Sequence, residues 1–204
     1  MTEIKSGIRG LLIYPRFYRS VQTIFGASRK SNWLIERYVL PASGDRILDI
    51  GCGTGSIVAF LPDGVSYVGF EPNLRYVAAA RRKFGDRAVF HTKYFEQADA
   101  DAAAPVDIVL VVAVLHHLDD GQARELFRLT RHALKPGGRI VTLDNVYVEG
   151  QNPIARFLIW MDRGRNVRTQ ESYMELARSA FATVEADIVH HSFPPYTHIV
   201  MTAH

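Results

Sequence analysis

The chain has 204 residues, 48% of them apolar or aromatic, with a formal net charge of +3 at pH 7. That length can bury a full core as one domain without metals or disulfides. Cys52 is the only cysteine, which excludes an intrachain disulfide and a thiolate metal cluster and makes a reducing cytoplasm the expected setting.

The longest strongly apolar run, Ile108 to Leu115, is too short to cross a bilayer, and Arg9 interrupts the N-terminal apolar stretch that a secretory signal would need. A soluble protein is expected. The charge is uneven: residues 1–46 carry eight Lys or Arg against three Asp or Glu, a net +5, which leaves −2 for the rest. Such a segment can be a solvated helical surface, or can attract an acidic substrate, nucleic acid or an anionic membrane.

In chain order, Tyr14 to Leu40 has helical spacing broken near Gly26, which predicts two helices. Tyr14, Tyr18 and Phe25 among them could form a lid or simply pack. From residue 44, short β-rich apolar runs alternate with helical patterns, as in a parallel sheet covered on both faces. Strands are expected at 46–50, 65–70, 88–93, 106–112 and 139–146. Helices are expected from Asn73 to Phe84, closed by Gly85, and from Asp119 to Leu134, with Leu126, Leu129, Ala133 and Leu134 as the buried stripe and "KPGG" ending it. "ADADAAAP" at 98–105 reads as a small-residue loop.

The run 148–168, punctuated by Gly150, Pro153 and Gly164, reads as an insertion. Thr169 then caps a helix to about Phe181. Two β-rich runs, 184–191 and 196–202, follow with the short "SFPP" between them and must be antiparallel. The expected organisation is a single domain over 1–204. It comprises N-terminal helices over 1–43, a ligand-binding core over 44–147, the insertion over 148–168, and a C-terminal helix and antiparallel strands over 169–204.

The sharpest motif is "RILDIGCGTGS", a strand running into a glycine turn. A dinucleotide fold uses GxGxxG, so that a helix packs on the strand with pyrophosphate at its N-terminus. Here Gly51, Gly53 and Gly55 give GxGxG, with Asp49 inside the strand. A carboxylate at the base of the loop does little for a phosphate but favours a ligand carrying a cationic amino group. Glu71, just past the second strand in "YVGFEPN", is placed to accept hydrogen bonds from both hydroxyls of a ribose.

Taken in order, "ILDIGCGTG", "YVGFEPN", "DIVLVVAVLHHL" and "LKPGGRIVTLD" resemble the class I S-adenosylmethionine-dependent methyltransferases, over roughly residues 44–145, and most of all the small-molecule branch. The resemblance implies a Rossmann-like α/β fold, with a seven-stranded, mostly parallel sheet, helices on both faces, a C-terminal antiparallel strand and an N-terminal helical lid. It implies S-adenosyl-L-methionine as cofactor and S-adenosyl-L-homocysteine as product. By that resemblance Asp49, Gly51, Cys52 and Gly53 line the methionine and ribose side, Glu71 holds the ribose, and Pro72 and Asn73 lie beside the adenosine. Val112, Ala113 and His116 form the facing wall.

The family often places an acidic residue after strand three. "FHTKYFEQ" puts Tyr94 there, so Tyr94 or Phe95 could stack on adenine, or Glu96 could substitute. Cys52 reads as a small packed side chain rather than a nucleophile.

In such a sheet the ligand crevice lies where strand order reverses, between strands one and four, so loops 51–55 and 112–117 should face each other. His116 and His117 are the candidate catalytic residues. A neutral imidazole can accept a proton from a hydroxyl or ammonium acceptor, although the pair could also cap or pack the following helix. No metal is expected, because adjacent histidines point apart and no acidic or thiolate set completes a site.

Substrate contacts are expected from the variable segments. Arg163, Arg165 and Arg168 are candidates for a carboxylate or phosphate, and Asp144, Tyr147 and Tyr196 for the rim. "FPPY" at 193–196 lies in the last turn rather than after strand four, which argues against base N-methylation.

The expected activity is in-line methyl transfer to an oxygen or nitrogen of a small molecule. Nucleic acid is not the expected partner, but an RNA or protein methyltransferase, or a non-catalytic cofactor-binding subunit, are the alternatives. A nicotinamide oxidoreductase is disfavoured by the glycine spacing. The basic N-terminal segment leaves peripheral membrane contact open.

Overall fold

The computed structural model describes residues 27–161, 165–192 and 195–204. The first predicted N-terminal helix, the lid residues Tyr14, Tyr18 and Phe25, and Arg163, Phe193 and Pro194 lie outside the described residues.

The main sheet comprises β1 (Arg46–Ile50), β2 (Ser66–Phe70), β3 (Val89–His91), β4 (Val106–Val112), β5 (Leu134–Tyr147), β7 (Val184–Ser192) and β8 (Pro195–Ala203), with the two-residue β6 (Arg168–Thr169) beside the end of β5. Its order is β3-β2-β1-β4-β5-β8-β7. The pairings from β3 to β5 are parallel, and β8 runs antiparallel to both β5 and β7. Among the described residues the helices are α1 (Ala27–Leu34), continued by a wider turn over Ile35–Val39, α2 (Leu74–Phe84), α3 (Gln97–Ala103), α4 (Asp120–Ala133), α5 (Pro153–Met161) and α6 (Gln170–Arg178).

Central strands read as continuous apolar runs because both of their faces are covered. On one face Leu48, Val109, Val111, Ile140, Ile199 and Met201 pack with Leu126 and Phe127 of α4 and Tyr173 and Leu176 of α6. On the other, Ile47, Ile108, Leu110, Val141 and Val200 meet Leu34 of α1 and Val77, Ala80 and Phe84 of α2. The chain leaves β1 toward β2 on one side and returns as β4 on the other. The switch point, and the crevice beyond the strands' carboxyl ends, therefore falls between β1 and β4 as expected.

Three local expectations need correction. Residues 98–105 are not a loop, since α3 occupies Gln97–Ala103. Alanine is the strongest helix former, and Asp99 fastens the first turn by accepting from the Glu96 backbone N–H at 3.1 Å.

The insertion contains α5, with Pro153 as its first residue and Asn152 Oδ1 accepting from Ile154 N at 2.8 Å. "NP" is a helix-start signal that the surrounding glycines obscured. "KPGG" lies within β5 as a bulge, for Val106 pairs Leu134 while Ile108 pairs Arg139. Gly85 closes α2 as expected, in the right-handed region at φ −60°.

Candidate functional site

The glycine turn is shaped by backbone demands that only glycine meets. Gly51, Gly53 and Gly55 have φ of +78°, +54° and +65°. A Cβ on Gly51 would run into Val114 Cγ2, so the loop over 51–55 does approach the segment after β4. A Cβ on Gly55 would strike the Phe90 ring, whereas one on Gly53 would meet nothing within 4 Å. Gly53 thus leaves open space. The helix after the turn is one short 3₁₀ stretch, Ser56–Phe60, a poor seat for a pyrophosphate.

At the base of the loop Asp49 is 3% exposed. Its Oδ2 accepts from the Tyr67 hydroxyl at 2.5 Å, and its Oδ1 is buried with no hydrogen-bond partner among the described residues. Burial, reinforced by the charge of Glu71 and opposed by the Tyr67 hydrogen bond, raises the Asp49 carboxyl to about 7. A buried acceptor without a donor, next to space left open by a glycine, fits a ligand that brings an ammonium group.

Glu71 follows β2 and ties the turn to α2, with Oε2 accepting from Gly53 N at 3.3 Å and Oε1 from Asn73 N at 2.8 Å. Each carboxylate oxygen keeps a lone pair for another donor, such as a ribose hydroxyl. Asn73 caps α2, its Oδ1 accepting from Arg75 N at 3.0 Å, and Pro72 beside it is exposed. Tyr94 is 73% exposed and available to a planar ring. Phe95 packs edge-on against Phe70 at 5.1 Å between ring centroids. Glu96 is the N-cap of α3. Cys52 packs close over Gly69, and burial together with the charges of Asp49 and Glu71 pushes its thiol far up, so it carries no thiolate chemistry.

The facing wall begins at Val112, the last residue of β4. Ala113 takes φ +58°, rare for a residue with a Cβ, and its N–H donates to Leu143 O at 2.7 Å. The chain thus turns sharply off the sheet edge into a short 3₁₀ turn, Leu115–His117. His116 is buried and His117 exposed, with ring centroids 4.1 Å apart. His116 Nδ1 lies 2.5 Å from Asp144 Oδ1, and the same oxygen accepts the His116 backbone N–H at 3.1 Å. Asp144 is wholly buried, so it lies beneath the site rather than on its rim.

Arg168 is likewise not available to a substrate. Its guanidinium donates to Leu115 O at 3.0 Å, to Leu118 O at 2.8 Å and to Asp120 Oδ1 at 2.7 Å, which clamps the histidine-bearing turn against the start of α4. Asn166 N donates to His116 O at 3.0 Å. These braces come from the segment that reads as an insertion, and only an excess of arginine marks them in the sequence. Arg165 is exposed.

Because β8 is antiparallel to β5, its first residues lie at the same sheet edge, with His198 opposite Asn145. There a cavity of about 270 Å³ is lined by Asn152, Ala155, His190, His191, Ser192, Pro195, Tyr196 and Thr197. Among the described residues no group of three or more His, Cys, Asp or Glu side chains could hold a metal ion, and no helix is long and apolar enough to cross a membrane.

Residues 48–140 match the family described as "Methyltransferase domain". The chain is 32% identical over 144 residues to aclacinomycin 10-hydroxylase RdmB of Streptomyces purpurascens, an alignment covering 66% of this chain and 38% of that protein. It is 32% identical over 105 residues to the ubiquinone biosynthesis O-methyltransferase of Xylella fastidiosa, covering 50% of this chain and 42% of that one. The chain therefore spans less than half the length of these two relatives. Among solved structures it resembles a TehB-like S-adenosylmethionine-dependent methyltransferase from Corynebacterium glutamicum, with a TM-score of 0.65 at 17% identity over 93% of this chain and 95% of that one. The matched segment holds the glycine turn, Glu71 and both histidines, and in sequence and fold the chain resembles the class I S-adenosylmethionine-dependent methyltransferases.

Proposed function

We propose that the protein transfers a methyl group from S-adenosylmethionine to an oxygen or nitrogen of a small molecule, with His116 as the base that takes the acceptor's proton. The observation that carries this reading is the buried His116–Asp144 pair at the sheet edge beside the glycine turn. A carboxylate can only accept, so Nδ1 holds a proton, and in the neutral ring Nε2 then carries the lone pair that a general base needs.

Asp49 would receive the cofactor's ammonium on Oδ1, Glu71 its ribose hydroxyls, and Tyr94 the adenine face. Pro72, Asn73, Val112 and Ala113 would line the remaining walls. The cofactor would supply a methyl group already activated on a sulfonium, so these residues act mainly by alignment and exclusion of water. A relative named as an O-methyltransferase supports an oxygen acceptor.

The test is calorimetric titration with S-adenosylhomocysteine and, separately, NAD, followed by transfer of labelled methyl groups to a panel of phenols and primary amines. Binding of S-adenosylhomocysteine that is lost in Asp49→Ala and Glu71→Ala, and transfer that is lost in His116→Gln with binding retained, are expected. NAD binding, or undiminished transfer by His116→Gln, would overturn the reading. The relative named as a hydroxylase favours a second outcome, oxygen insertion on the same fold, which mass spectrometry of the product separates from methylation.

A further inference from the structure

Helix α5 places apolar residues on both of its sides. Ala155 and Ile159 are buried on its inner side, while Ile154, Phe157 and Trp160 stand 59%, 51% and 57% exposed. Their spacing of three puts them on successive turns of one outward stripe, with the Phe157 and Trp160 rings 6.0 Å apart. The other large exposed hydrophobics among the described residues, Leu40, Leu74, Tyr76, Val89 and Tyr94, do not form such a line. With about half of each side chain exposed, the stripe amounts to roughly 300–400 Å², the size of the largest apolar patch on a monomer, which is often functional.

The helix is also held in place before any partner arrives. Gln151 Nε2 donates to Val146 O at 3.1 Å, and Asn152 caps the first turn.

The rim decides the partner. Arg156 is exposed beside the stripe, its guanidinium 4.9 Å from the Tyr147 ring centroid, and Arg165 is exposed shortly after the helix. Arg168 of the same segment is spent on the turn beside Leu115 and Leu118 and on Asp120, so Arg156 and Arg165 are the exposed arginines among its described residues. An outward stripe of Ile, Phe and Trp with Arg156 at its edge and a second exposed arginine, Arg165, after the helix has the chemistry of a helix lying in a bilayer interface, where the apolar tips reach the acyl boundary and guanidinium groups meet lipid phosphates.

We propose that α5 is a peripheral docking surface for membranes containing anionic lipids, with Ile154, Phe157 and Trp160 as the inserting residues and Arg156 and Arg165 as the phosphate contacts. The proposal does not depend on the identity of the methyl acceptor.

The experiment is co-sedimentation of the full chain with vesicles of phosphatidylcholine alone or mixed with phosphatidylglycerol, combined with tryptophan fluorescence and light scattering. Expected are partition onto the mixed vesicles with a blue shift, and a loss on the order of tenfold or more in Phe157→Ser/Trp160→Ser. Arg156→Gln/Arg165→Gln should lose the preference for anionic vesicles while keeping the blue shift on whatever fraction binds. All replaced side chains are exposed, and thermal midpoints and S-adenosylhomocysteine binding verify that the variants fold.

Absence of partition by the unsubstituted chain overturns the proposal. Equal partition by the serine variant also does so, since the basic N-terminal segment would then suffice. A dimer that the serine variant disperses, without vesicle binding, overturns it in favour of contact between two copies of the chain.

Discussion

The His116 imidazole and the Asp144 carboxylate meet at 2.5 Å, Nδ1 to Oδ1, in a part of the molecule closed to solvent. Asp144 also accepts the backbone N–H groups of His116 at 3.1 Å and Leu115 at 3.4 Å. One carboxylate therefore fixes both the path of the turn and the tautomer of the ring it carries.

Asp144→Asn keeps the shape but offers an amide where the carboxylate accepted. Turnover should fall on the order of 100-fold or more, because the carboxylate no longer fixes the tautomer of the ring. With His116 serving the acceptor as proposed, affinity for S-adenosylhomocysteine should change by less than about threefold. Single-turnover rates beside calorimetry check this, and an unchanged rate would reduce Asp144 to a structural brace.

The second prediction concerns pH. The Asp49 carboxyl is raised by burial from its usual 3.8 to about 7, so the folded chain holds this proton more tightly than the unfolded chain. The associated stability is complete below about pH 4 and is lost as pH rises through 7. Asp49→Asn, neutral at every pH, should lack that loss. The difference between the two denaturation curves should amount to a few kcal/mol, about 4 at most. An ammonium brought to Oδ1 would favour the charged form, so S-adenosylhomocysteine binding at pH 6 should release close to one proton. Calorimetry in buffers of different ionisation enthalpy measures it, and binding without proton release would place the ammonium elsewhere.

Gly51 carries two separable constraints, a φ of +78° and contact with Val114 Cγ2. Gly51→Ala should cost about 2–3 kcal/mol and weaken cofactor binding, while Val114→Ala in the same chain should recover the steric part and leave a residue of about 1 kcal/mol from the backbone. Gly53→Ala, with no atom near its Cβ, should cost only the backbone part in the free protein yet weaken binding as strongly. Urea denaturation and calorimetry on the four chains separate these outcomes.

Much of this was legible in the residues because it is local. The alternation of β-rich and helical runs gave the strands and their parallel order, and the spacing of Gly51, Gly53 and Gly55 with Asp49 and Glu71 marked the turn. What escaped is non-local or rests on competing signals. Asp144 reads as a rim residue because strand alternation cannot say which face is covered beyond the end of β4. Arg168 reads as a ligand for anions because nothing in the sequence tells that Leu115 O and Leu118 O need donors. The helix at 97–103 was hidden by its lack of large apolar residues, although its alanines and the Glu96–Asp99 cap favour a helix.

The last prediction tests whether those distant braces matter to the chemistry. Arg168 has a side chain only 9% exposed beside Asp120, which is itself exposed. Its fork spans Leu115 O, Leu118 O and Asn166 O. A lysine keeps the charge but cannot reach three carbonyls at once, because the ammonium is a point donor where the guanidinium is a planar fork. Arg168→Lys should therefore lower stability by about 1–3 kcal/mol and let the turn carrying His116 move.

If His116 is the base, turnover should drop by about tenfold or more, because small displacements of a positioned group carry costs of that size. The acceptor's KM and the affinity for S-adenosylhomocysteine should change far less. A thermal midpoint that falls while turnover per folded molecule stays constant would mean that the Asp144 carboxylate alone holds the ring in its working position.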